Sequence, residues 1–411
     1  MSQISDASPQ AAAAGSVTAP APYMRLVGLV SAAHLVSHYY IILLAPLLPF
    51  VRDAYGVSYT EIGLALAAFN IVSAILQTPA GFLVDWLGAR ILLIAGLAIG
   101  GVAFIVVGMV DSFWIFVAMF ALAGVGNTVY HPADYALLSK HVPAKRIGQA
   151  FSIHTFAGML GTAVAPASLL IMQNLWGWRG AFIGAGLFGI AVALLLLMLR
   201  EGDAPATAAP RKADDTSPVG WQLLLSAPIL LNLLFFMLTA LLSGGMFTYS
   251  VVALGALHGT PVTLANGALT SLLLMSALGV LIGGLLVAKT TRHGLVASLG
   301  LVGMAITPAL LAGFDFGAVA LIAVMTAFGF CFGVIMPSRD MIVRGITPPG
   351  SFGKVFGFVT TGFNIGGIVS PMVFGALMDA GHPALVFWSV AAFALIAVLT
   401  VATLPKTPVH H

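Results

Sequence analysis

The stretch EGDAPATAAPRKADDTSP, residues 201–218, is the one long polar interruption in an otherwise apolar chain. Six apolar segments precede it and six follow it. Each segment is close to the roughly 20 residues that a helix needs to cross a bilayer. The stretch therefore predicts two halves of six transmembrane helices, joined by a linker.

The composition supports a membrane protein. Of 411 residues, 60% are hydrophobic and 7% are charged, whereas a soluble domain carries about 25% charged residues. Because backbone groups in lipid must be paired within the protein, and these segments are too long for barrel strands, the spans are predicted to be helices. The single cysteine, Cys331, excludes an intrachain disulfide and a cysteine-based metal site.

We predict an all-α membrane protein with twelve transmembrane helices in two pseudo-symmetric halves. The predicted spans are 26–50, 59–84, 91–110, 113–139, 147–172, 178–199, 221–252, 263–288, 294–313, 316–340, 353–378 and 383–403. The predicted domains are a disordered cytoplasmic tail at 1–24, an N-terminal half at 25–200, a cytoplasmic linker at 201–220, a C-terminal half at 221–404 and a cytoplasmic tail at 405–411.

The distribution of lysine and arginine predicts the orientation. With the N-terminus in the cytoplasm, thirteen of the sixteen basic residues fall on the cytoplasmic side and only Arg52 and Arg179 fall outside. This is the bias that cytoplasmic loops show. Both termini are therefore predicted to be cytoplasmic, and the net charge of +3 requires no nucleic-acid partner.

The two halves are related by an internal repeat. A shift of 205 positions aligns the region after Gly124 with the region after Gly329 without a gap, and it brings three prolines of the first half onto prolines of the second. Parallel repeats of six helices that rock about a site near the bilayer midplane are typical of major facilitator transporters.

The loop GFLVDWLGAR, from Gly81 to Arg90, resembles the signature loop of the major facilitator superfamily. Trp86 stands where the family has a basic residue, and the second copy, GLLVAKTTRHG, lacks the acid. A narrower resemblance, to the fosmidomycin-resistance branch of drug exporters, rests on SAAHLVSH in span 1 and on GVGNTVYHPADYALLSKHVPAKRIGQAFSIHTFAGMLGTAVAP in spans 4 and 5. The resemblance implies that spans 1, 4, 7 and 10 line a central cavity.

Ionisable residues at membrane depth are costly and mark cavities or partners. In span 1, His34 and His38 are one turn apart. In span 4, Asn127, His131 and Asp134 share a face at i, i+4 and i+7. We expect His34, His38, Asn127 and His131 to bind substrate. We expect Asp134 and His131 to exchange protons, because histidine titrates near neutral pH.

The role of His154 and the possibility of a metal site are both open from sequence. His154 lies on the same side of span 5 as Gly158, so it is either a packing residue or a further proton-coupling residue. His34 and His38 have the spacing of metal ligands, but span 1 offers no carboxylate and Asp134 would have to complete the site. No metal and no other cofactor is predicted.

Span 10 carries Arg339, the one basic residue left inside a span. The 205-residue shift places Arg339 at the position equivalent to Asp134. We therefore predict that these two side chains pair across the halves, with Asp340 turned away, and that substrate breaks the pair. Arg339 and Asn364 of span 11 complete the predicted substrate site.

Four charged residues are predicted to act in gating. The superfamily resemblance places the loop of Asp85 near the start of span 11, where the helix dipole would stabilise its carboxylate, with Arg90 as a local partner. Asp340 and Arg344, near the cytoplasmic end of span 10, are assigned to the same role.

Three local features complete the prediction. Ser58 and Glu61 form a candidate capping box at the start of span 2. Pro132 should kink span 4 because it cannot donate a backbone hydrogen bond. Gly244 and Gly245 predict a break in span 7, a typical place for binding or gating.

These features predict a monomeric, proton-coupled transporter of the bacterial inner membrane that moves a small anionic organic compound or antibiotic by alternating access. No GxxxxGK[ST] loop is present, so an ion gradient should supply the energy. Export follows from the branch resemblance, whereas proton-symport uptake of a small organic carboxylate fits the same residues. A membrane-embedded enzyme would need a nucleophile motif that the sequence lacks. A non-transporting sensor would tend to lose its intramembrane charges.

Overall fold

A computed structural model describes residues 22–143, 146–198, 221–287, 289–347 and 352–402. The predicted linker and most of both predicted tails lie outside the described residues. The described chain forms fifteen α-helices: α1 (Pro22–Ile42), α2 (Leu44–Tyr55), α3 (Tyr59–Leu87), α4 (Ala89–Met109), α5 (Phe113–Asn127), α6 (Tyr130–His141), α7 (Ile147–Leu197), α8 (Trp221–Leu224), α9 (Ala227–Ser243), α10 (Ser250–His258), α11 (Val262–Val287), α12 (His293–Gly313), α13 (Ala318–Ile346), α14 (Phe352–Asp379) and α15 (Pro383–Ala402).

Eleven helical segments of the described chain are long and apolar enough to cross a membrane. One of them, α7, has 51 residues and leaves the helical conformation at Gly177, where φ is 70°. A helix of that length measures about 77 Å, more than twice the hydrocarbon core of about 30 Å. The predicted count of twelve spans depends on α7 crossing twice, with its turn at Gly177.

Spans 1 and 7 are interrupted where the sequence weakens the helix. In span 1, α1 ends at Ile42 and α2 begins at Leu44, just before Pro46. Pro46 has no N–H to donate to the carbonyl of Ile42, so the helical ladder is broken there. In span 7, a π-helical turn, Gly244–Tyr249, separates α9 from α10. This confirms the predicted break at Gly244 and Gly245.

Glycines allow helices within and between the halves to approach closely. A Cβ added at Gly161 of α7 would lie 2.1 Å from the carbonyl oxygen of Leu35 in α1. Between the halves, a Cβ at Gly63 of α3 would lie 2.8 Å from the carbonyl oxygen of Pro371 in α14. Helices α7 and α11 also pack against each other between the halves, and α2 contacts α10. Small residues at crossings are the usual device for packing membrane helices.

The two halves are held together at the end that the sequence predicts to lie outside the cytoplasm. Asp379, the last residue of α14, accepts hydrogen bonds from the backbone N–H groups of Tyr59 (2.7 Å) and Thr60 (2.8 Å), and from the Thr60 hydroxyl. Ser58 and Glu61 form the predicted capping box beside them. The first three N–H groups of α3 therefore all have acceptors, two of them supplied by the other half.

Candidate functional site

The helix of span 4 is interrupted close to its ionisable residues, His131 and Asp134. Helix α5 ends at Asn127, and α6 begins at Tyr130. Pro132 would have to donate to the carbonyl of Thr128 to continue the helix, and it has no N–H. The predicted kink is thus confirmed, although it lies at Thr128–Val129, a few residues before the proline. The kink separates the environments of the residues on either side of it.

Asp134 lies at the centre of a histidine cluster in the first half. Its side chain is fully buried, and its Oδ2 lies 3.3 Å from Nδ1 of His34 on α1 and 3.6 Å from Nε2 of His154 on α7. Within the described part of the chain, neither carboxylate oxygen has an aligned hydrogen-bond donor. A buried carboxylate without donors is costly, so this group is poised to bind a proton or a cation.

The four membrane histidines that the sequence singled out come together around Asp134. The rings of His34 and His154 stack with centroids 3.8 Å apart, whereas those of His38 and His131 lie 4.6 and 5.3 Å from His34. His131 is exposed and the other three are buried or partly buried. The histidines form a continuous set of titratable rings from an exposed edge to the buried carboxylate. We call these five residues the histidine cluster.

The cluster is compact because α7 has a glycine opposite α1. A Cβ at Gly158 would lie 2.6 and 2.7 Å from two ring atoms of His34 and 3.0 Å from a ring atom of His38. Gly158, which indicated close packing of span 5, therefore also makes room for the two imidazole rings. His38 is held from the same helix, because its Nδ1 lies 3.2 Å from the hydroxyl of Thr162.

Replacing Gly158 with alanine should displace His34 and His38 and, if the proton coupling that the sequence predicts runs through these rings, remove most pH-driven transport. Overpacking of this kind typically costs about 1–3 kcal/mol, so the protein should still fold with a modest loss of thermal stability. Gly28→Ala in α1 is the matched control, since a Cβ there has nothing within 4 Å. Equal transport by the two variants would show that the ring positions do not matter.

Three atoms of the cluster could bind a metal ion. His34 Nδ1, Asp134 Oδ2 and His154 Nε2 all lie within 4.8 Å of one another. However, an imidazole binds a metal through a lone pair in its ring plane, and the planes of His34 and His154 are stacked only 24° apart. One ring would have to turn before both could bind a single ion. The arrangement as it stands favours proton exchange.

Asn127 does not join the histidine cluster as the predicted stripe required. Its side-chain amide donates to the hydroxyl of Ser73 on α3 (3.2 Å), and that hydroxyl donates to the carbonyl of Gly124 (3.1 Å). In this structure Asn127 connects span 4 to span 2.

Arg339 forms a second charged site, in the other half. Its side chain is 9% exposed, and its guanidinium carbon lies 4.4 Å from the ring centre of Phe236 and 5.1 Å from that of Phe363. Nη1 donates to the sulfur of Met336 at 3.2 Å. Aromatic faces stabilise a cation electrostatically, so the rings hold the guanidinium without consuming its donors.

The predicted pair between Asp134 and Arg339 is wrong for this structure. Nε and Nη2 of Arg339 both donate to Oδ1 of Asp340, at 2.9 and 2.8 Å. Asp340 was expected to turn away, but the long arginine side chain bends back to its neighbour. Asp134 faces α1 and α7 within its own half. Repeat symmetry placed the two residues at equivalent positions without fixing which way they face.

The other predicted site residues are placed as follows. Asn364 is partly buried, next to Phe363 on α14, whereas Arg344 is exposed near the end of α13. Arg90 donates through Nε and Nη2 to the carbonyls of Leu196 and Leu197 at the end of α7. The side chain of Asp85 lies outside what the structure describes, so the predicted Asp85–Arg90 pair stays a prediction.

Sequence reasoning missed two elements of the site. Phe236 and Phe363 were not singled out in the sequence, because their proximity to a buried arginine depends on three different helices. Tyr135 was also missed. Its ring lies 6.0 Å from that of His154 and 6.2 Å from that of His131, at the edge of the histidine cluster.

Two helical halves with a charged site in each define a membrane transporter. The family model described as Major Facilitator Superfamily matches residues 30–261 and 236–411, and the chain belongs to this superfamily. Its members are transporters and not enzymes. With bacterial relatives and many apolar helices, the chain is a multi-pass protein of the inner membrane.

Two curated relatives and one solved structure illustrate the similarity. The chain is 33% identical over 149 residues to the Probable L-galactonate transporter and 25% identical over 186 residues to the Fosmidomycin resistance protein, both of Escherichia coli (strain K12). These matches cover 36% and 45% of this chain. They span only 33% and 46% of the relatives. The inward-facing, occupied structure of a bacterial homolog to the human lysosomal transporter Spinster matches 95% of this chain and 98% of its own, with a TM-score of 0.78 and 14% identity.

Proposed function

We propose that the protein is a proton-coupled secondary transporter that moves a small anionic organic compound or antibiotic across the inner membrane by alternating access, with export favoured. The observation that carries the proposal is the buried Asp134 among four histidines in one half, opposite a buried Arg339 in the other. Residues of this kind inside membrane spans mark ion and substrate pathways.

The histidine cluster supplies the proton site of this proposal. A proton enters at His131, the exposed member, and passes through His34 or His154 to Asp134. Imidazole suits this passage because its two nitrogens can accept and release a proton near neutral pH. His154, whose role was open from sequence, contacts the carboxylate directly at 3.6 Å. This distance favours proton coupling over packing alone.

The Arg339 site supplies the anion site. A guanidinium presents donors in a planar fork that matches carboxylate and phosphonate oxygens. Asn364, next to Phe363 on the same helix, is proposed to contact the ligand. From the other half, His38 and His131 contribute ring nitrogens. Asn127 belongs to the site only if its bond to Ser73 opens during the cycle.

Export is the favoured direction because the sequence resembles the fosmidomycin-resistance branch of drug exporters, and the similarity to the Fosmidomycin resistance protein agrees with that branch. The similarity to the Probable L-galactonate transporter supports a small carboxylate as the substrate. Uptake of such a carboxylate by proton symport is the alternative function. The same two charged sites serve both directions, because the sign of coupling depends on which combined states of proton and substrate are allowed to change conformation.

A flux assay in liposomes tests the proposal. Purified protein is reconstituted, a pH gradient is imposed, and movement of galactonate, other sugar acids and fosmidomycin is followed. We expect at least one anion to move against its gradient, with dependence on the sign of the pH gradient. Transport of none of them above protein-free liposomes would contradict the proposal.

Asp379→Asn should shift the protein toward the conformation that is open at the Asp379 end. The mutation removes the charge that caps two N–H groups of α3 from the other half. An anion at a helix N-terminus contributes about 0.3–1 kcal/mol when exposed, so the population ratio should change by a few-fold. Cysteine accessibility at that end measures the shift.

Asp53→Asn is the matched control, because Asp53 is exposed at the same end and lies 3.7 Å from Arg52. Asp85→Asn should act in the opposite direction if Asp85 closes the cytoplasmic end, as the sequence predicts. Unchanged accessibility in Asp379→Asn would contradict the role of this contact in gating.

A further inference from the structure

Arg339 and Asp340 form an ion pair that the helix geometry does not favour. Successive residues of a helix point about 100° apart, so neighbours at i and i+1 do not face each other. The two side chains nevertheless bend together, with Nε and Nη2 at 2.9 and 2.8 Å from a single oxygen, Oδ1. The groups around Arg339 explain why, since Phe236, Phe363 and Met336 offer it no carboxylate.

The two side chains of the ion pair differ in their exposure. The Arg339 side chain is 9% exposed, and the Asp340 side chain is 47% exposed. A buried cation needs a counter-charge, and Asp340 supplies one from the exposed side. A ligand arriving from water therefore meets the Asp340 carboxylate first. To reach the same edge of the guanidinium, its anionic group has to replace Asp340.

A ligand anion can make a better contact than Asp340 does. Asp340 gives both donors the same oxygen, whereas a free carboxylate, phosphonate or sulfonate can offer two oxygens in the parallel, bidentate arrangement. The charge on Arg339 stays compensated throughout the exchange. A neutral or cationic compound gains nothing from displacing Asp340 and would leave Arg339 uncompensated.

We propose that Asp340 is an internal competitor for the substrate's anionic group at Arg339, and that it restricts the site to small oxyanions of the carboxylate, phosphonate or sulfonate class. The inference rests on the proposed function, since it takes Arg339 as the anion-binding residue. Displacement frees the Asp340 carboxylate, whose side chain is 47% exposed, so that it can turn away from Arg339.

Binding of two simple anions, acetate and methylphosphonate, to the purified full-length protein tests the proposal. Thermal stabilisation and calorimetry are measured for wild type, Asp340→Asn and Asp340→Glu. Removing the competing charge should lower the anion concentration needed for half-maximal stabilisation by roughly tenfold, the size of one charge-assisted hydrogen bond. Asp340→Glu, which keeps the charge, should resemble wild type. A neutral probe, acetamide, should show no gain.

The double variant Arg339→Lys/Asp340→Asn tests whether the gain in anion affinity depends on the guanidinium, because lysine keeps a positive charge but loses the planar fork of donors. We expect the double variant to show no gain in anion affinity. No gain in Asp340→Asn, or a gain that persists in the double variant, would overturn the proposal. These binding results differ from failure of the proposed function. That failure would appear as an absence of anion transport, regardless of which anions Asp340→Asn binds.

Discussion

Asp134→Asn should abolish pH-gradient-driven accumulation of substrate while leaving substrate binding within a few-fold of wild type. Asparagine keeps the shape of the side chain but cannot take up or release a proton. Asp134 contacts His34 and His154 in the first half, whereas Arg339, the charged group of the proposed anion site, is in the second half, so proton coupling should fail before substrate binding does. Downhill exchange of substrate should continue.

Two comparisons make this result specific. Asp315→Asn, an acid-to-amide change at an exposed loop position, should transport like wild type. His131→Ala should shift the pH dependence of transport more than the affinity, since it removes the exposed entry to the cluster but leaves Arg339, the charged group of the proposed anion site. Full concentrative transport by Asp134→Asn, with a normal pH profile, would refute the proton role of the cluster.

Arg339→Ala should nearly abolish substrate binding, and Arg339→Lys should weaken it. Alanine removes the buried positive charge and its donors. Hydrogen bonds to charged groups contribute about 1.5–3 kcal/mol each, so the loss of one corresponds to roughly ten- to a hundredfold in Kd. Lysine retains the charge without the bidentate geometry. Binding is measured by calorimetry with the anion that the wild-type protein transports.

The matched control is Arg292→Ala, at an exposed position before α12. It removes a basic residue of the same half without touching the Arg339 site. Because Arg339 also neutralises Asp340 and packs on Phe236, thermal stability is recorded for every variant. Wild-type affinity in both Arg339 variants would mean that the substrate is held elsewhere and need not be anionic.

Much of the fold could be predicted because each span carries its own signal. The predicted spans 59–84 and 353–378 correspond to Tyr59–Leu87 and Phe352–Asp379, since apolar runs and turn residues are local features. Ser58 and Glu61 form the predicted capping box for the same reason. The gathering of His34, His131 and Asp134 followed from helical spacing together with the superfamily resemblance.

The parts that could not be predicted depend on contacts between distant segments. His154 can stack on His34 because residue 158 is a glycine and has no side chain there. The absence of that side chain matters only once α7 lies against α1. Asp379 looks like an ordinary helix end in sequence, yet it caps α3 from 320 residues away. The partner of Arg339 could not be inferred from the repeat, because symmetry relates positions and does not specify side-chain orientation.

The central claim is that proton movement is coupled to substrate movement through the histidine cluster. The most direct measurement is proton movement in proteoliposomes that contain a pH-sensitive dye, started by a substrate gradient with no initial pH difference. We expect a substrate-dependent pH change for the wild-type protein and for Asp315→Asn, and none for Asp134→Asn. An equal pH change with Asp134→Asn, or substrate flux without any pH change in the wild type, would contradict it.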